Sequence, residues 1–124
     1  MKNEAQNLRK RAIEIVDEDR NVLEKILEAY RNRKQNAQKY DEACKESVKF
    51  CIETMEEGIK TLNLSKKLEK VGNKLLGSDF KICKNYANAA IEASIENIEV
   101  NLKSVSDEKF KNEARKEYMK KRGI

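Results

Sequence analysis

The sequence predicts an all-α fold, an antiparallel bundle of about four helices of which two are long. Apolar residues recur at steps of three and four along most of the chain, which is the spacing of one face of a helix. The chain contains no Pro and only 4 Gly, so few residues can interrupt a helix. No long segment alternates apolar and polar residues with the period of two that is typical of strands. The 124 residues suffice for one domain, predicted to span residues 1–124.

The first two predicted helices are the long ones. The first extends from near Leu8 past Tyr30, and the second extends from about Ala37 to Leu68 with no breaker stronger than Gly58. Charged residues occupy the faces between the apolar positions. We therefore expect the apolar stripe of the first helix to face its neighbours. That stripe consists of Leu8, Ala12, Ile15, Val16, Val22, Leu23, Ile26, Leu27 and Tyr30.

A loop of about eight residues, Gly72 to Asp79, is predicted to precede the third helix. Glycine can adopt positive φ in such a loop, and Ser78 or Asp79 can cap the helix that follows. The third helix is predicted from about Phe80 to Lys103, with small residues that let a neighbouring backbone approach closely. Its predicted inward face consists of Phe80, Cys83, Ala87, Ala90, Ile91, Ser94, Ile95, Ile98 and Leu102.

The fourth helix is predicted from about Asp107 to Lys121. Ser106 and Asp107 offer an N-cap, and acidic residues in the first turn with basic residues in the last both suit the helix dipole. Long amphipathic helices in so small a protein leave apolar surface uncovered. We therefore expect self-association into a homodimer.

The composition excludes several classes of function. The absence of His excludes a Ser-His-Asp relay, an HExxH zinc site, a Cys-His nucleophile and a zinc finger within this chain. An odd number of Cys, 3, with no Cys-x-x-Cys pair and no signal peptide, favours reduced thiols and a cytoplasmic location. The longest uncharged stretch, Asn85–Ile91, is far shorter than the roughly 20 residues of a membrane span, so no membrane association is predicted.

The charge pattern argues against a nucleic-acid partner. The net charge is +5, but Lys and Arg alternate with Glu and Asp along every predicted helix. Two groups of basic residues are explained by solvated faces and by a helix end matched to its dipole: Arg31, Arg33 and Lys34, and Lys116, Lys120, Lys121 and Arg122. The remaining functional interpretation is a weak attraction for small anions.

The cysteines are interpreted as packing residues. Cys44 and Cys51 lie seven residues apart on the apolar stripe of the second helix, about 10.5 Å in rise, which is too far for a disulfide. Cys83 lies on the predicted inward face of the third helix. No cluster of Asp, Glu and Cys has a spacing that singles out a metal site, so no metal is predicted.

Polar residues that interrupt apolar stripes are the candidate site. Asp19 lies where the first helix should face its neighbours, with Asp17 two residues earlier, and a half-buried carboxylate suits general acid or base chemistry. A carboxylate at the margin of the stripe, bonded to a Lys or a helix end, is the alternative. Asn97 and Asn101 share one helix face, and their amides suit either a heterocycle edge such as a pterin or a hydrogen bond between helices.

Several segments together resemble one known family. In that family, a helix of small residues ends in an Asn-x-x-x-Asn-Leu-Lys segment and is followed by a short helix that starts with Asp-Glu-x-Phe. Residues 87–103, which include Asn97 and Asn101, resemble the first element, and Ser106–Phe110 resembles the second. Gly72–Asp79 is similar to the family's Gly-Asn-x4-Ser-Asp loop. Val16–Asp19 and Ala29–Arg31 are similar to its Val-Asp-x-Asp and Ala-Tyr-Arg segments. These landmarks, in this order, resemble the formiminotetrahydrofolate cyclodeaminase and methenyltetrahydrofolate cyclohydrolase family.

The resemblance implies a helical, dimeric domain that acts on one-carbon forms of tetrahydrofolate, with no cofactor beyond that substrate. The reaction would be loss of ammonia from the 5-formimino form with ring closure, or hydrolytic opening of the 5,10-methenyl form. The matched positions imply a catalytic pair of carboxylates that shuttle protons and a set of substrate-binding residues. The implied catalytic residues are Asp17 and Asp19, and the implied binding residues are Gly72, Asn73, Ser78, Asp79, Asn97 and Asn101.

The chain also departs from the family pattern. Members carry a helix and a Pro-Gly-Gly-Gly loop ahead of the part matched here, and this chain has neither a Pro nor a run of glycines. Cys51 stands where the family has a proline. Three expectations therefore stay open: an enzyme whose front segment is supplied by another polypeptide, a shortened homologue that binds ligand without turnover, and a helical assembly module. Each leaves an apolar groove where the absent helix would pack.

Overall fold

The computed structural model describes residues 1–123, and this part of the chain is helical without strands. Helix α1 spans Lys2–Arg31, α2 spans Ala37–Val71, α3 spans Gly77–Leu102 and α4 spans Glu108–Arg122. A single 3₁₀ turn, Lys74–Leu76, precedes α3. The predicted four helices are confirmed, and α1 and α2 are the two longest, at 30 and 35 residues. None of the helices described has an apolar stretch that could cross a bilayer.

Contacts between side chains fix the directions of the helices. Lys25 of α1 pairs with Glu46 of α2 at 3.2 Å, whereas the earlier Arg11 pairs with the later Glu53 at 3.3 Å. α1 and α2 are therefore antiparallel. α3 is antiparallel to α2, because Lys84 pairs with Glu69 and the later Asn101 contacts the earlier Cys51. α4 is antiparallel to α3, because Arg115 pairs with Glu99 and the later Arg122 pairs with the earlier Glu92. α2 lies at the centre and packs against each of the other three helices.

The core lies between α2 and α3 and is closed by α4. The core residues come from α2, α3 and α4, and all of them are almost completely buried. The most buried are Val48, Met55, Ile91, Ile98 and Leu102. α2 and α3 approach each other most closely at Gly58, where an added Cβ would lie 2.9 Å from Cγ1 of Ile91. Glycine at 58 therefore sets the closeness of the two central helices.

Polar contacts attach α4 to the core. The Tyr118 hydroxyl donates to Oε1 of Glu99 at 2.6 Å, and Nε of Arg115 donates to the same oxygen at 3.2 Å. Asp107 caps α4 by accepting from the backbone N of Phe110 at 3.1 Å, as the sequence predicts. The backbone N and the hydroxyl of Ser106 both donate to a carboxylate oxygen on α2. These bonds hold both ends of α4 in place.

The predicted start of the third helix is wrong. α3 begins at Gly77 rather than at Phe80, and neither Ser78 nor Asp79 caps it. Instead, the Asn73 side chain accepts from the backbone N of Leu75 at 2.9 Å and starts a 3₁₀ turn that runs directly into α3. The loop is accordingly shorter than predicted, and Asp79 lies in the first turn, where its charge suits the helix dipole.

Part of the predicted buried stripe of α1 is exposed. Val16 and Leu23 are 67% and 53% exposed, and Ala29 is the one buried residue of the helix. The reason is that α1 packs chiefly against α2, so a single narrow row of side chains covers the contact. Leu27 and Tyr30 are exposed as well. Cys83, also predicted inward, is exposed, although its Sγ lies 2.9 Å from the Ser65 hydroxyl.

Candidate functional site in the groove between α1 and α3

An open groove runs between α1 and α3 with α2 as its floor. The groove consists of three adjoining cavities of about 530, 280 and 180 Å³. The first two share Ile15 and Thr54, and the last two share Asp19, Cys51 and Asn97, so the cavities form one continuous channel. It arises because α1 and α3 run in the same direction along α2 without packing closely against each other.

The largest cavity is the apolar end of the groove. Leu8, Ala12 and Ile15 of α1 form one wall, and α3 forms the other. Gly58 lies on the floor. Asp79, in the first turn of α3, is one of the few charged residues at this end. This cavity is shaped for an aromatic or aliphatic group.

The two smaller cavities are the polar end. Asp19 from α1, Cys51 from α2, and Asn97 and Asn101 from α3 converge here. Nδ2 of Asn101 donates to the backbone O of Asn97 at 2.9 Å and approaches Sγ of Cys51 at 4.0 Å. Both amide hydrogens of Asn101 are thereby used, which leaves its side-chain oxygen as an acceptor. The exposed amide of Asn97 can both donate and accept.

Burial and charge keep the Cys51 thiol protonated. Burial raises the pKa of Cys51 above its ordinary value, and the negative charge of Asp19 acts in the same direction. Hydrogen bonds to Ser47 and Asn101 oppose this rise without cancelling it. The polar end therefore presents a carboxylate, two amides and a neutral thiol to a ligand.

Comparison with known families identifies the domain. The family model of formiminotransferase-cyclodeaminase matches residues 1–120. The chain belongs to this family. The resemblance read from residues 8–110 is thus confirmed, and the match extends beyond it at both ends. Neither a curated protein nor a solved structure shows significant similarity to the chain.

Membership of the formiminotransferase-cyclodeaminase family gives the chain a folate-related role in one-carbon chemistry. The groove is the place where the helices of this family member leave room for a ligand. Another cavity, of about 400 Å³, lies on the other side of α1. Its rim is formed largely by charged residues that already pair, such as Lys25 with Glu46 and Glu18 with Arg11. We therefore take the groove as the candidate site.

The structure brings three of the sequence-derived site residues together. Asp19, Asn97 and Asn101 line the polar end, although they come from two helices and are about 80 positions apart in the chain. The half-buried position expected of Asp19 is wrong: its side chain is exposed, because α1 packs chiefly against α2 alone. Asp17 is exposed on α1 and lines none of the groove cavities. A step of two residues along a helix turns a side chain by about 200°, which places Asp17 away from Asp19.

The glycine-containing segment lies apart from the polar end. Gly72 is extended, and an added Cβ there would lie 2.7 Å from the Phe80 ring, so packing accounts for this glycine. Asn73 starts the 3₁₀ turn. Ser78 lines none of the groove cavities, whereas Asp79 reaches the apolar end. The folate-binding roles that the resemblance implies for these four residues stay predictions.

Cys51, Ser47 and Thr54 are groove residues that the sequence reasoning did not select. All three lie on α2 and line the polar end, and Thr54 also lines the apolar end. The apolar neighbours of Cys51 suggested core packing, and it does belong to the core cluster. The signal that could have found it is the succession of small polar residues at 47, 51 and 54, which follows one helix face.

Metal-ligating side chains are scattered through the described part of the chain. Residues 1–123 contain no group of three or more Cys, Asp and Glu placed to hold a metal ion. The candidate chemistry of the groove accordingly rests on the carboxylate, the amides and the thiol.

Proposed function

We propose that the chain binds a tetrahydrofolate that carries a one-carbon unit, the 5-formimino or the 5,10-methenyl form, in the groove between α1 and α3. The observation that carries the proposal is the convergence of Asp19, Asn97 and Asn101 at one end of an otherwise apolar groove. Membership of the family supports the choice of ligand. We further propose that the domain acts as a cyclodeaminase or a methenyltetrahydrofolate cyclohydrolase.

The chemistry of the ligand matches the two ends of the groove. A pterin presents ring nitrogens and a carbonyl along one edge, which suit amide groups such as those of Asn97 and Asn101. The aromatic ring next to the pterin suits the apolar walls formed by Leu8 and Ile15. The one-carbon unit is carried by the pterin nitrogen nearest the aromatic ring and bridges the two parts in the methenyl form. It then lies near the middle of the groove, within reach of Asp19 on the wall.

Asp19 is the proposed proton carrier. In hydrolysis, water adds to the methenyl carbon and gives a proton to the carboxylate. One carbon–nitrogen bond of the ring then breaks, the departing nitrogen takes this proton from the carboxylic acid, and the hydroxyl releases its own proton to water as the formyl group forms. In cyclodeamination, the ring-closing N–H attacks the formimino carbon and gives its proton to the carboxylate, which passes it to the departing ammonia. General acid or base action of this kind contributes typically about 10²- to 10⁴-fold to a rate.

A turnover assay with matched variants tests this role. The absorbance of 5,10-methenyltetrahydrofolate is followed with the unmodified chain, with Asp19→Asn and with Glu24→Gln. Glu24 is an exposed carboxylate of α1 that lines none of the groove cavities. We expect Asp19→Asn to lower the rate by about 10²-fold or more and Glu24→Gln to leave it unchanged. Equal rates for all three chains would remove Asp19 from the mechanism.

An assembly module without turnover is the second candidate function. The exposed apolar stripe of α1, formed by Ile13, Val16, Leu23, Leu27 and Tyr30, supports it. This stripe adjoins the groove, because Val16 and Leu23 line the groove cavities too. Tyr86 and Val100 are exposed on α3. A second copy of the chain that packs on this face would form the homodimer and cover the groove.

Ligand binding, measured together with the oligomeric state, separates the two candidates from each other. A homodimer that binds folate supports a covered ligand site, and a homodimer without binding supports the assembly module. A monomer that binds ligand only when another polypeptide supplies a glycine-rich segment would support an incomplete enzyme. Sedimentation velocity with and without 5,10-methenyltetrahydrofolate distinguishes these outcomes.

A further inference from the structure

The two polar cavities of the groove meet at Cys51. This residue is 9% exposed, yet it lines both cavities together with Asp19 and Asn97. Asp19 forms the wall from α1 and Asn97 the wall from α3, so Cys51 of α2 is the shared floor. A larger side chain at 51 would rise between the two walls. The size of this one residue therefore controls whether the cavities of about 280 and 180 Å³ are joined.

We infer that Cys51 is a positioning residue of the ligand site, because its small side chain keeps the two polar cavities open to a single planar heterocycle. The inference rests on the proposed function and goes beyond it by assigning specificity to the floor of the groove. Sγ of Cys51 lies 4.0 Å from Nδ2 of Asn101, so the thiol also holds this amide in place. The hydrogen bond from Nδ2 of Asn101 to the backbone O of Asn97 then fixes the direction of the Asn101 side-chain oxygen.

The other two cysteines show that this placement is particular to Cys51. Cys44 is 1% exposed and lines none of the three cavities, whereas Cys83 is exposed and lies at the apolar end. The three thiols thus occupy the core, the floor of the polar end and the wall of the apolar end. Cys44, which lines none of the cavities, is therefore the internal control for a labelling experiment on the unmodified chain, whereas Cys83 lies at the end that the aromatic ring of the ligand is proposed to occupy.

The first test is protection from methyl methanethiosulfonate, a small reagent that places a methylthio group on a thiol. The chain is labelled at mildly alkaline pH, where more of each thiol is ionised, with and without saturating 5,10-methenyltetrahydrofolate. Labelling at each Cys is followed by mass spectrometry of its peptides. We expect the saturating ligand to slow labelling of Cys51 at least about tenfold, because only the unoccupied fraction of the chain can then react. Labelling of Cys51 at an unchanged rate in the presence of bound ligand would overturn the inference.

The second test changes the size of the side chain. Cys51→Ser keeps the volume and polarity and is expected to bind the ligand as the unmodified chain does, whereas Cys51→Met is expected to bind about tenfold or more weakly. Binding of an apolar dye at the other end of the groove and the circular dichroism of each variant verify that it folds. Equal affinity of a folded Cys51→Met would also overturn the inference.

The two proposals fail in different ways. Absence of any heat of binding between 5,10-methenyltetrahydrofolate and the unmodified chain would overturn the proposed function and this inference together. Binding that neither protects Cys51 nor depends on its size would overturn this inference alone and leave the proposed function standing.

Discussion

Substitution of two helical glycines by alanine should change the stability of the chain in opposite directions. At Gly58 an added Cβ would lie 2.9 Å from Cγ1 of Ile91, which is closer than carbon atoms pack, and Ile91 is fully buried. At Gly77 nothing lies within 4 Å of the added Cβ, and the backbone is already right-handed helical. The same chemical change therefore meets a filled site in one case and an open site in the other.

The magnitudes follow from two opposing effects. Alanine is favoured over glycine in a helix by about 1 kcal/mol, whereas overpacking a core costs about 1–3 kcal/mol. Since the β-branched Ile91 is stiff and surrounded by core residues, we expect Gly58→Ala to destabilise the chain by about 1 kcal/mol net. Gly77→Ala has only the favourable effect and should stabilise by about 0.5 kcal/mol, since it lies at the start of α3.

Thermal unfolding followed by circular dichroism measures both changes. For a chain of this length, 1 kcal/mol corresponds to a shift of about 3–5 °C in Tm. We expect Tm to fall for Gly58→Ala and to rise slightly for Gly77→Ala. If Gly58→Ala raised Tm as much as Gly77→Ala, the close approach of α2 and α3 at this position would be refuted.

Three further predictions concern the core, the attachment of α4 and the exposed face of α1. Ile98→Ala should lower the free energy of unfolding, measured with denaturant, by about 2–5 kcal/mol, because Ile98 is fully buried. Val100→Ala should lower it by less than about 0.5 kcal/mol, because Val100 is 59% exposed. Similar losses in the two variants would contradict the placement of the core. Burial raises the pKa of Glu99, but hydrogen bonds from Arg115 and Tyr118 of α4 outweigh burial and hold this pKa below 4.5 in the folded chain. The ionised Glu99 therefore contributes its full stabilisation above pH 4.5, and this stabilisation is lost as the pH falls through the pKa of the folded state. Glu99→Gln should therefore flatten the loss of stability as the pH falls below 4.5, and an unchanged pH profile would speak against this attachment. The proposed homodimer predicts that the unmodified chain and Glu24→Gln sediment as dimers in sedimentation velocity and that Leu23→Glu sediments as a monomer; dimers in both variants would exclude the stripe of α1 as the interface.

The sequence predicted the number and order of the helices because their apolar residues recur at the helical period. It also predicted the N-cap at Asp107, since an acidic side chain directly before an amphipathic segment can accept a hydrogen bond from the first backbone N–H groups of the helix. It did not predict the start of α3, because the side chain of Asn73 competes with Ser78 for the same function and only the packed chain decides between them. The position of a cap depends on such local competition between side chains, and the spacing of apolar residues does not predict its outcome.

The candidate site was predictable only in part. Asp19, Asn97 and Asn101 interrupt apolar stripes, and this signal selected them as candidates, but only the structure shows that they line one groove and that Asp19 is exposed. The exposure of Val16 did not follow from the sequence, because an apolar stripe states which face is apolar but not how many neighbours cover it. Cys51 was missed for the same reason: a residue at the edge of a core and on the floor of a groove has the same pattern as one inside the core.

The central claim is that the polar end of the groove holds a folate through amides of α3, and titration calorimetry tests it most directly. 5,10-Methenyltetrahydrofolate is titrated into the unmodified chain, Asn97→Ala and Asn85→Ala. Asn85 is an exposed amide of the same helix that lines none of the groove cavities. We expect saturable binding that Asn97→Ala weakens about two- to tenfold, the loss expected for one hydrogen-bonding side chain, and that Asn85→Ala leaves unchanged. No heat of binding to the unmodified chain, or equal weakening by both substitutions, would contradict this claim.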